Sequence, residues 1–223
     1  MDMQLTILPE FSSKVSGYRA IIITADVENA PTSDEQKAEM TAMAADIASR
    51  LEIASINRQP AIAATRAAYK ACGKDPNRYR PSQEQLTRRI VRGLGLYYVN
   101  AIVDAGNELS LATGCSVGVF DRDKLEGDAI TLGVGKDGEE YEGIGRGPLN
   151  ISGIPVFRDA VGGFGTPTSD HERTKISLDT KHILVTVHLF DPNVDADAVI
   201  ARFTDLFTRH ASATAINYTQ YNS

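Results

Sequence analysis

The chain has 223 residues, 42% of them hydrophobic and 23% charged, so it is long enough to bury a substantial core. Its apolar runs are far too short to cross a bilayer, and we see no secretory signal in its first residues. Taken alone, its net charge of −6 argues against nucleic-acid binding. With only two cysteines, Cys72 and Cys115, we expect free thiols, a cytoplasmic location and no membrane partner.

The N-terminal 60 residues predict one or two strands and then a helix. Ile7 to Val27 alternates loosely and contains the apolar run Ala20 to Ile23, which is typical of a strand. Thr32 or Ser33 can cap a helix that opens with two acidic residues and continues with apolar residues at helical spacing. A second helix is expected from Pro60 to Ala71.

The next feature is a basic segment from Arg50 to Arg92. It contains ten basic and three acidic residues, a net charge of +7 that leaves −13 on the rest of the chain. Such a segment is expected where one face meets phosphates, although a solvated helical surface is the alternative. Ser82 and Gln85 have the spacing of a capping box at the start of a helix. Its arginines are Arg88, Arg89 and Arg92.

The second half of the chain interleaves helices and strands irregularly. A helix is predicted from Asn100 to Thr113, and the last helix from Asp195 to His210. Strands are predicted at Ser116 to Phe120, Ala129 to Val134, Glu140 to Ile144 and His182 to Phe190. This order favours an α+β fold over a regular parallel βαβ arrangement.

Motifs for cofactors and metals do not fit their structural context. Gly133 to Gly138 matches G-x-G-x-x-G, but a strand-like segment follows it where a dinucleotide site needs a helix, so a hairpin turn is the better interpretation. His182 and His188 are six residues apart on one predicted strand, which is too far for a chelate. No pair of cysteines or histidines has zinc spacing, and no G-x-S-x-G elbow is present. We therefore expect no cofactor and no metal site.

Two stretches carry a resemblance to a known family. The first contains the paired arginines Arg88 and Arg89, then a V-D-x-x-N segment ending at Asn107, then a strand ending F-D-x-x-K-L-x-G from Phe120 to Gly127. The second contains the glycine pair Gly162 and Gly163, a polar loop, and the next strand. In order and spacing these stretches resemble the B3/B4 domain of the phenylalanyl-tRNA synthetase beta subunit.

The resemblance implies a single B3/B4-like domain over residues 1–223, with a mixed, mainly antiparallel sheet and flanking helices. Residues 82–190 form its core, residues 1–60 contribute N-terminal strands and a helix, and residues 195–212 form a C-terminal helix. In the synthetase this domain receives the 3′ end of a mischarged tRNA and hydrolyses the aminoacyl ester. The expected partners are therefore tRNA and an amino-acid-like small molecule, in a free-standing, cytoplasmic, RNA-binding hydrolase that edits aminoacyl-tRNA.

Site residues follow from the same resemblance. The expected substrate-binding residues are Asn107, Gly118, Asp121, Gly162, Gly163 and Thr186, and the expected tRNA-binding residues are Arg88, Arg89, Arg92 and Arg173. Gly118 stands where the family has a pocket histidine, and Thr186 where it has an acid that recognises the tyrosine hydroxyl. We expect the glycine to free space and the pocket not to be tyrosine-specific.

No catalytic residue is identified, and three functions remain open. The first is a trans-editing hydrolase that positions a water and stabilises the oxyanion with backbone N–H groups, which needs no dedicated nucleophile. The second is a non-catalytic module of the same fold that binds an amino acid or the tRNA end, which the missing histidine favours. The third is a protein-interaction domain with a vestigial pocket.

Overall fold

The computed structural model describes residues 3–223; Met1 and Asp2, which the sequence analysis assigned to the N-terminal unit, lie outside the described residues. The helices are α1 (Pro9–Ser12), α2 (Asp34–Arg50), α3 (Pro60–Cys72), α4 (Ser82–Val91), α5 (Ala101–Thr113) and α6 (Ala196–Ala211). The strands are β1 (Gln4–Ile7), β2 (Arg19–Asp26), β3 (Ser116–Asp121), β4 (Ala129–Val134), β5 (Glu142–Gly143), β6 (Gly147–Pro148), β7 (Pro155–Arg158), β8 (Gly163–Gly165), β9 (His182–Leu189) and β10 (Thr214–Asn222).

Two four-stranded sheets organise the fold. One has the order β10-β2-β9-β3 and is antiparallel throughout. The other has the order β1-β4-β7-β8, in which only the β1–β4 pair is parallel. Strands β5 and β6 form a small hairpin. The expected α+β class, with mixed and mainly antiparallel sheets, is confirmed.

The antiparallel sheet is the middle layer, because both of its faces are apolar. On β2, Ile21 and Ile23 face a core shared with α5 and α6, whereas Ala20 and Ile22 face a second core shared with the mixed sheet. This alternation follows from the two-residue repeat of a strand. Buried central strands read as continuous hydrophobic runs for the same reason, which explains the unbroken isoleucines of β2.

The start of α4 corrects one sequence prediction. Pro81 is the N-cap, and no side chain caps the helix, so the capping box of Ser82 and Gln85 is wrong. The Ser82 N–H donates to the carbonyl of Pro167, and the Gln85 amide donates to the carbonyls of Arg80 and Thr168. Gln85 therefore joins α4 to the loop after β8.

The strand boundaries also differ from the sequence predictions. The strand expected over Glu140 to Ile144 is reduced to the two residues of β5. Strand β10 was not predicted, because all nine of its residues are at least partly exposed and it lacks an apolar stripe. It lies at the sheet edge, where its register on β2 carries a bulge between Thr214 and Asn217.

Two further expectations concern membranes and thiols. Among the described helices, none is both long and apolar enough to cross a lipid bilayer. Cys72 and Cys115 are both free, as expected, and the structure buries both of them. Burial raises the pKa of the Cys115 thiol to about 11, so this side chain is a packing residue and not an activated nucleophile.

Candidate functional site

A cleft of about 450 Å³ opens beside α4 and is rich in arginine. Apolar and polar side chains complete its walls, and no acidic residue lines it among the described residues. Its lining residues are Arg80, Ser82, Gln85, Leu86, Arg88, Arg89, Arg92, Leu94, Tyr97, Asn107, Arg146 and Thr168. A concave site with five guanidinium groups is suited to an anionic ligand.

Glu84 holds the arginines of α4 and its neighbouring segments in place. Its side chain is fully buried and accepts hydrogen bonds from Arg88 Nε at 2.8 Å and from Arg66 Nη1 at 2.9 Å. Arg80 Nε lies 3.8 Å from the same carboxylate. Three cations around one anion leave a net positive charge, and the rigid attachment orients Arg80 and Arg88 at the cleft.

Arg89 and Tyr97 form the second charged feature of the cleft. The guanidinium carbon of Arg89 lies 3.8 Å from the centre of the Tyr97 ring, and Arg89 also donates to the Tyr97 hydroxyl and to the Leu94 carbonyl. Its Nε is buried and has no acceptor among residues 3–223. A buried donor without an acceptor is uncommon in folded proteins, so part of the hydrogen-bonding capacity of Arg89 is unused.

Helix α5 contributes Asn107 to the cleft lining. Gly106 allows the close approach of α5 to β3, because a Cβ there would lie 2.6 Å from Val119 Cγ2. Asp104 is buried at the start of the helix and accepts from the Thr32 hydroxyl at 2.6 Å and from the Val99 N–H at 3.2 Å. No described residue makes a hydrogen bond to the Asn107 side chain, so its amide is available to a ligand.

Gly118 and Thr186 are directly paired in the register of β3 on β9. Their expected proximity is present, but the expected free space is not. A Cβ on Gly118 would lie 2.5 Å from Phe120 Cζ and 3.1 Å from the Thr186 hydroxyl. Phe120 also lies against Gly165 and makes an edge contact with Phe164. The Phe120 ring therefore occupies the space that we expected Gly118, standing in place of a histidine, to leave free.

The remaining sequence-predicted residues are engaged within the chain. Asp121 accepts from the Thr180 hydroxyl at 2.8 Å and lies 3.2 Å from Lys124 Nζ. The Gly162 N–H donates to Asp159, and Gly163 pairs with β7, so the glycine pair closes the β7–β8 hairpin.

Arg173 is held in the same region. It makes two hydrogen bonds to Asp159, whose side chain is fully buried, and a third to the Lys124 carbonyl. Of the ten predicted site residues, the structure thus brings Arg88, Arg89, Arg92 and Asn107 into the cleft.

Several cleft residues were missed by the sequence analysis. Arg146 lies between β5 and β6 and reaches across to the Gln85 side chain. Tyr97 and Leu94 lie in the segment after α4 and are more than half exposed. The exposed aromatic residues that follow the paired arginines were the available signal for this wall.

Two ionisable groups with strongly shifted pKa values lie outside the cleft lining. His188 is hydrogen-bonded to the Tyr18 hydroxyl at 2.8 Å, and burial lowers its pKa to about 3, so it is a neutral core residue. Asp170, two residues after Thr168, has its pKa raised to about 8 by burial, with partial compensation from the Val119 N–H.

Comparison with known proteins bears on the family. Residues 64–217 match the B3/4 domain family. The solved structures that are similar include an N-terminal fragment of the phenylalanyl-tRNA synthetase beta subunit from Pyrococcus horikoshii, with a TM-score of 0.47 and 10% sequence identity over 100% of this chain and 55% of that one. The chain therefore spans about half the length of that fragment. No curated protein sequence matches it significantly. Because the family match covers most of its length, the chain belongs to the B3/4 domain family.

Proposed function

We propose that this domain binds the aminoacylated 3′ end of a tRNA in the arginine-lined cleft. The observation that carries the proposal is the set of five arginines around a cavity of about 450 Å³ that also contains a free asparagine amide. Family membership supports a binding or editing type of domain related to tRNA synthetases. Guanidinium groups bind phosphates through paired hydrogen bonds, which suits the backbone of a single-stranded end.

The aromatic wall supports a nucleic acid end over a simple anion. Tyr97 is 60% exposed and its ring is backed by the Arg89 guanidinium. Proteins that bind single strands commonly stack bases on such aromatic side chains and track the backbone with positive charge. A terminal base stacked on Tyr97 would place its phosphates near Arg92, which has no ion-pair partner among the described residues.

The amino-acid moiety would meet the part of the cleft that Asn107 lines. The Asn107 amide offers one donor group and one acceptor to an α-amino or ester group. Leu86 and Leu94 supply apolar lining. No acid lies in the cleft lining to recognise a phenolic hydroxyl, so we expect little selectivity for tyrosine over phenylalanine.

Binding without hydrolysis is the better supported of the two activities. The cleft lining contains no histidine, cysteine or carboxylate that could act as nucleophile or general base. The Gly162 N–H, a candidate for stabilising an oxyanion, already donates to Asp159.

One assay separates binding from hydrolysis. Purified protein is incubated with a full set of aminoacylated tRNAs, and the ester remaining is measured over time. A pure binding domain slows spontaneous deacylation or leaves it unchanged. Deacylation that is faster with the protein than in a protein-free control would instead establish the hydrolase.

Affinity measurements test the cleft itself. The probes are fluorescent total tRNA in aminoacylated form, the same tRNA after deacylation, and tRNA trimmed of its 3′-terminal nucleotides. We expect affinity to fall in that order and to weaken with salt, because neutralised phosphates release counterions. Arg92→Gln should weaken binding and reduce the salt slope by about one.

Arg58→Gln is the matched control. Arg58 belongs to the same basic segment and is exposed, but it does not line the cleft. Its substitution should leave both affinity and salt slope unchanged. Recognition of the 3′ end in this cleft would be ruled out if Arg92→Gln and Arg58→Gln changed tRNA affinity and salt slope equally. Equal affinity for intact and trimmed tRNA would rule it out as well.

A further inference from the structure

Three helices bring two glutamates and a histidine together away from the arginine-lined cleft. Glu39 lies on α2, Glu108 on α5 and His210 on α6. One ligand atom from each residue lies within 4.8 Å of the other two. His210 Nε2 and Glu39 Oε2 are 3.3 Å apart. Because these residues are far apart in sequence, no spacing motif could have indicated the cluster.

The central residue, Glu108, has a carboxylate oxygen without a partner. Its side chain is fully buried, its Oε1 accepts from Gln36 Nε2 at 3.1 Å, and its Oε2 has no hydrogen-bond partner among residues 3–223. The orientation of the Gln36 amide is determined by donation to both Glu108 and the Ala101 carbonyl, which leaves Gln36 Oε1 unpartnered as well. Buried polar atoms are rarely left unsatisfied, so these two oxygens lack a hydrogen-bond donor or a cation.

We propose that Glu39, Glu108 and His210 bind a divalent transition-metal ion, for which zinc is the best fit. An imidazole with two carboxylates is a ligand set that zinc accepts, with bonds near 2.0–2.2 Å. Two ligands of a tetrahedral zinc ion are then about 3.4 Å apart, close to the separation of His210 Nε2 and Glu39 Oε2. Glu108 Oε2 supplies the third ligand and water the fourth.

The neighbouring charges are compatible with an ion. Arg209 donates to Glu39 Oε1 at 2.7 Å and is held on its other side by Asp205. It therefore orients the Glu39 carboxylate with Oε2 toward His210 Nε2, as outer-shell groups orient ligands at metal sites. Arg209 also lies 3.2 Å from His210 Nε2, and that contact is exchanged for the ion on binding.

The burial of Glu108 supports the same interpretation. Its side chain is fully buried, so a charge there is costly unless a positive group neutralises it. A protonated Glu108 is the metal-free alternative, and the experiment below distinguishes the two.

The ion would act as a staple between two parts of the chain. Glu39 precedes the region that matches the B3/4 family, whereas Glu108 and His210 lie inside it. Helix α2 buries only three residues, one of them a glutamine, so its own apolar face is small. The inference is independent of tRNA binding, since none of the three residues lines the cleft.

The test is metal binding to the full chain after chelator treatment. Calorimetric titration with zinc chloride should give one ion per chain, magnesium chloride should not bind, and cobalt should give the intense visible absorption of a tetrahedral site. Glu108→Gln and His210→Asn should each weaken zinc binding by at least about tenfold and abolish the cobalt spectrum. Zinc should raise the unfolding temperature of the wild type but not of either variant.

His182→Asn is the matched control, because His182 is an exposed histidine flanked by Asp123 and Asp26. It should bind zinc as the wild type does. The proposal is overturned if the wild type binds no zinc, if both site variants retain it, or if the loss occurs in His182→Asn. Should the variants fail to fold, a cobalt spectrum of the wild type without tetrahedral absorption overturns it equally.

Discussion

Glu84 and Glu108 are two fully buried glutamates on consecutive helices with opposite surroundings. Glu84 is enclosed by arginines, two of them within hydrogen-bonding distance. Glu108 has one amide donor and an oxygen without a partner among the described residues. A buried charge is tolerated when it is paired and is otherwise protonated or bound to an ion. Glu84 therefore builds the cleft wall with partners from its own chain, whereas Glu108 has an oxygen that no described residue satisfies.

The largest effect is expected at Glu84. Glu84→Gln leaves Arg66 and Arg88, both mostly buried, without their counterion. Removal of one partner of a buried ion pair typically costs about 3–5 kcal/mol, and we expect a loss of unfolding free energy in that range. Urea unfolding measures it. A loss below 1 kcal/mol would mean that solvent compensates the arginines and that Glu84 does not organise the cleft.

Arg173 is a further arginine that pairs with a buried carboxylate, in this case that of Asp159. Arg173→Gln removes two hydrogen bonds to Asp159, so we expect a loss of about 2 kcal/mol, within the range for hydrogen bonds to charged groups. The salt dependence of tRNA binding should stay unchanged, in contrast to Arg92→Gln. Contact between Arg173 and tRNA stays a prediction of the sequence, and a reduced salt slope in this variant would support it.

His188 tests a buried group whose partner is neutral. Its pKa is about 3 in the folded chain against 6.5 in its ordinary range, so the unfolded chain takes up the proton first as pH falls. Stability is therefore lost below about pH 6.5, at roughly 1.4 kcal/mol per pH unit, or about 2 kcal/mol at pH 5.

His188→Gln provides the control for that loss. The amide keeps a partner for the Tyr18 hydroxyl but does not titrate. Urea unfolding of the wild type and of His188→Gln should be measured between pH 7 and pH 5. We expect the difference between their unfolding free energies to become smaller as pH falls. If the unfolding free energies of the two proteins fall in parallel with pH, other groups, such as carboxylates, account for the acid sensitivity.

How much the sequence predicted depends on the kind of signal. Helical periodicity and the family resemblance located α4, α5 and Asn107, because those signals are local. Arg146 was missed because it lies on a short hairpin with no periodic pattern. The prediction of free space at Gly118 was wrong, because the ring of Phe120, two residues further along the same strand, fills that space. Packing across a sheet face is not encoded in the identity of one position.

The smallest effect is expected at Glu108, and its sign is opposite to that at Glu84. Burial raises the pKa of Glu108 above that of the unfolded chain, so the folded protein keeps a proton that the unfolded chain has lost. The wild type therefore loses stability as pH rises above about 4.5, the ordinary value for this group. Glu108→Gln removes the titrating group at nearly constant shape. Without metal, it should equal the wild type near pH 4.5 and exceed it by up to about 1 kcal/mol at pH 7.

Zinc should reverse that order at pH 7, because only the wild type has the carboxylate that binds the ion. The measurement is urea unfolding of both proteins with chelator and with zinc. Suppose that, in the presence of chelator, Glu108→Gln lowers the unfolding free energy as much as Glu84→Gln does. Glu108 would then be already paired within the chain. The two glutamates would then be alike, and the need for an external cation at α2, α5 and α6 would disappear.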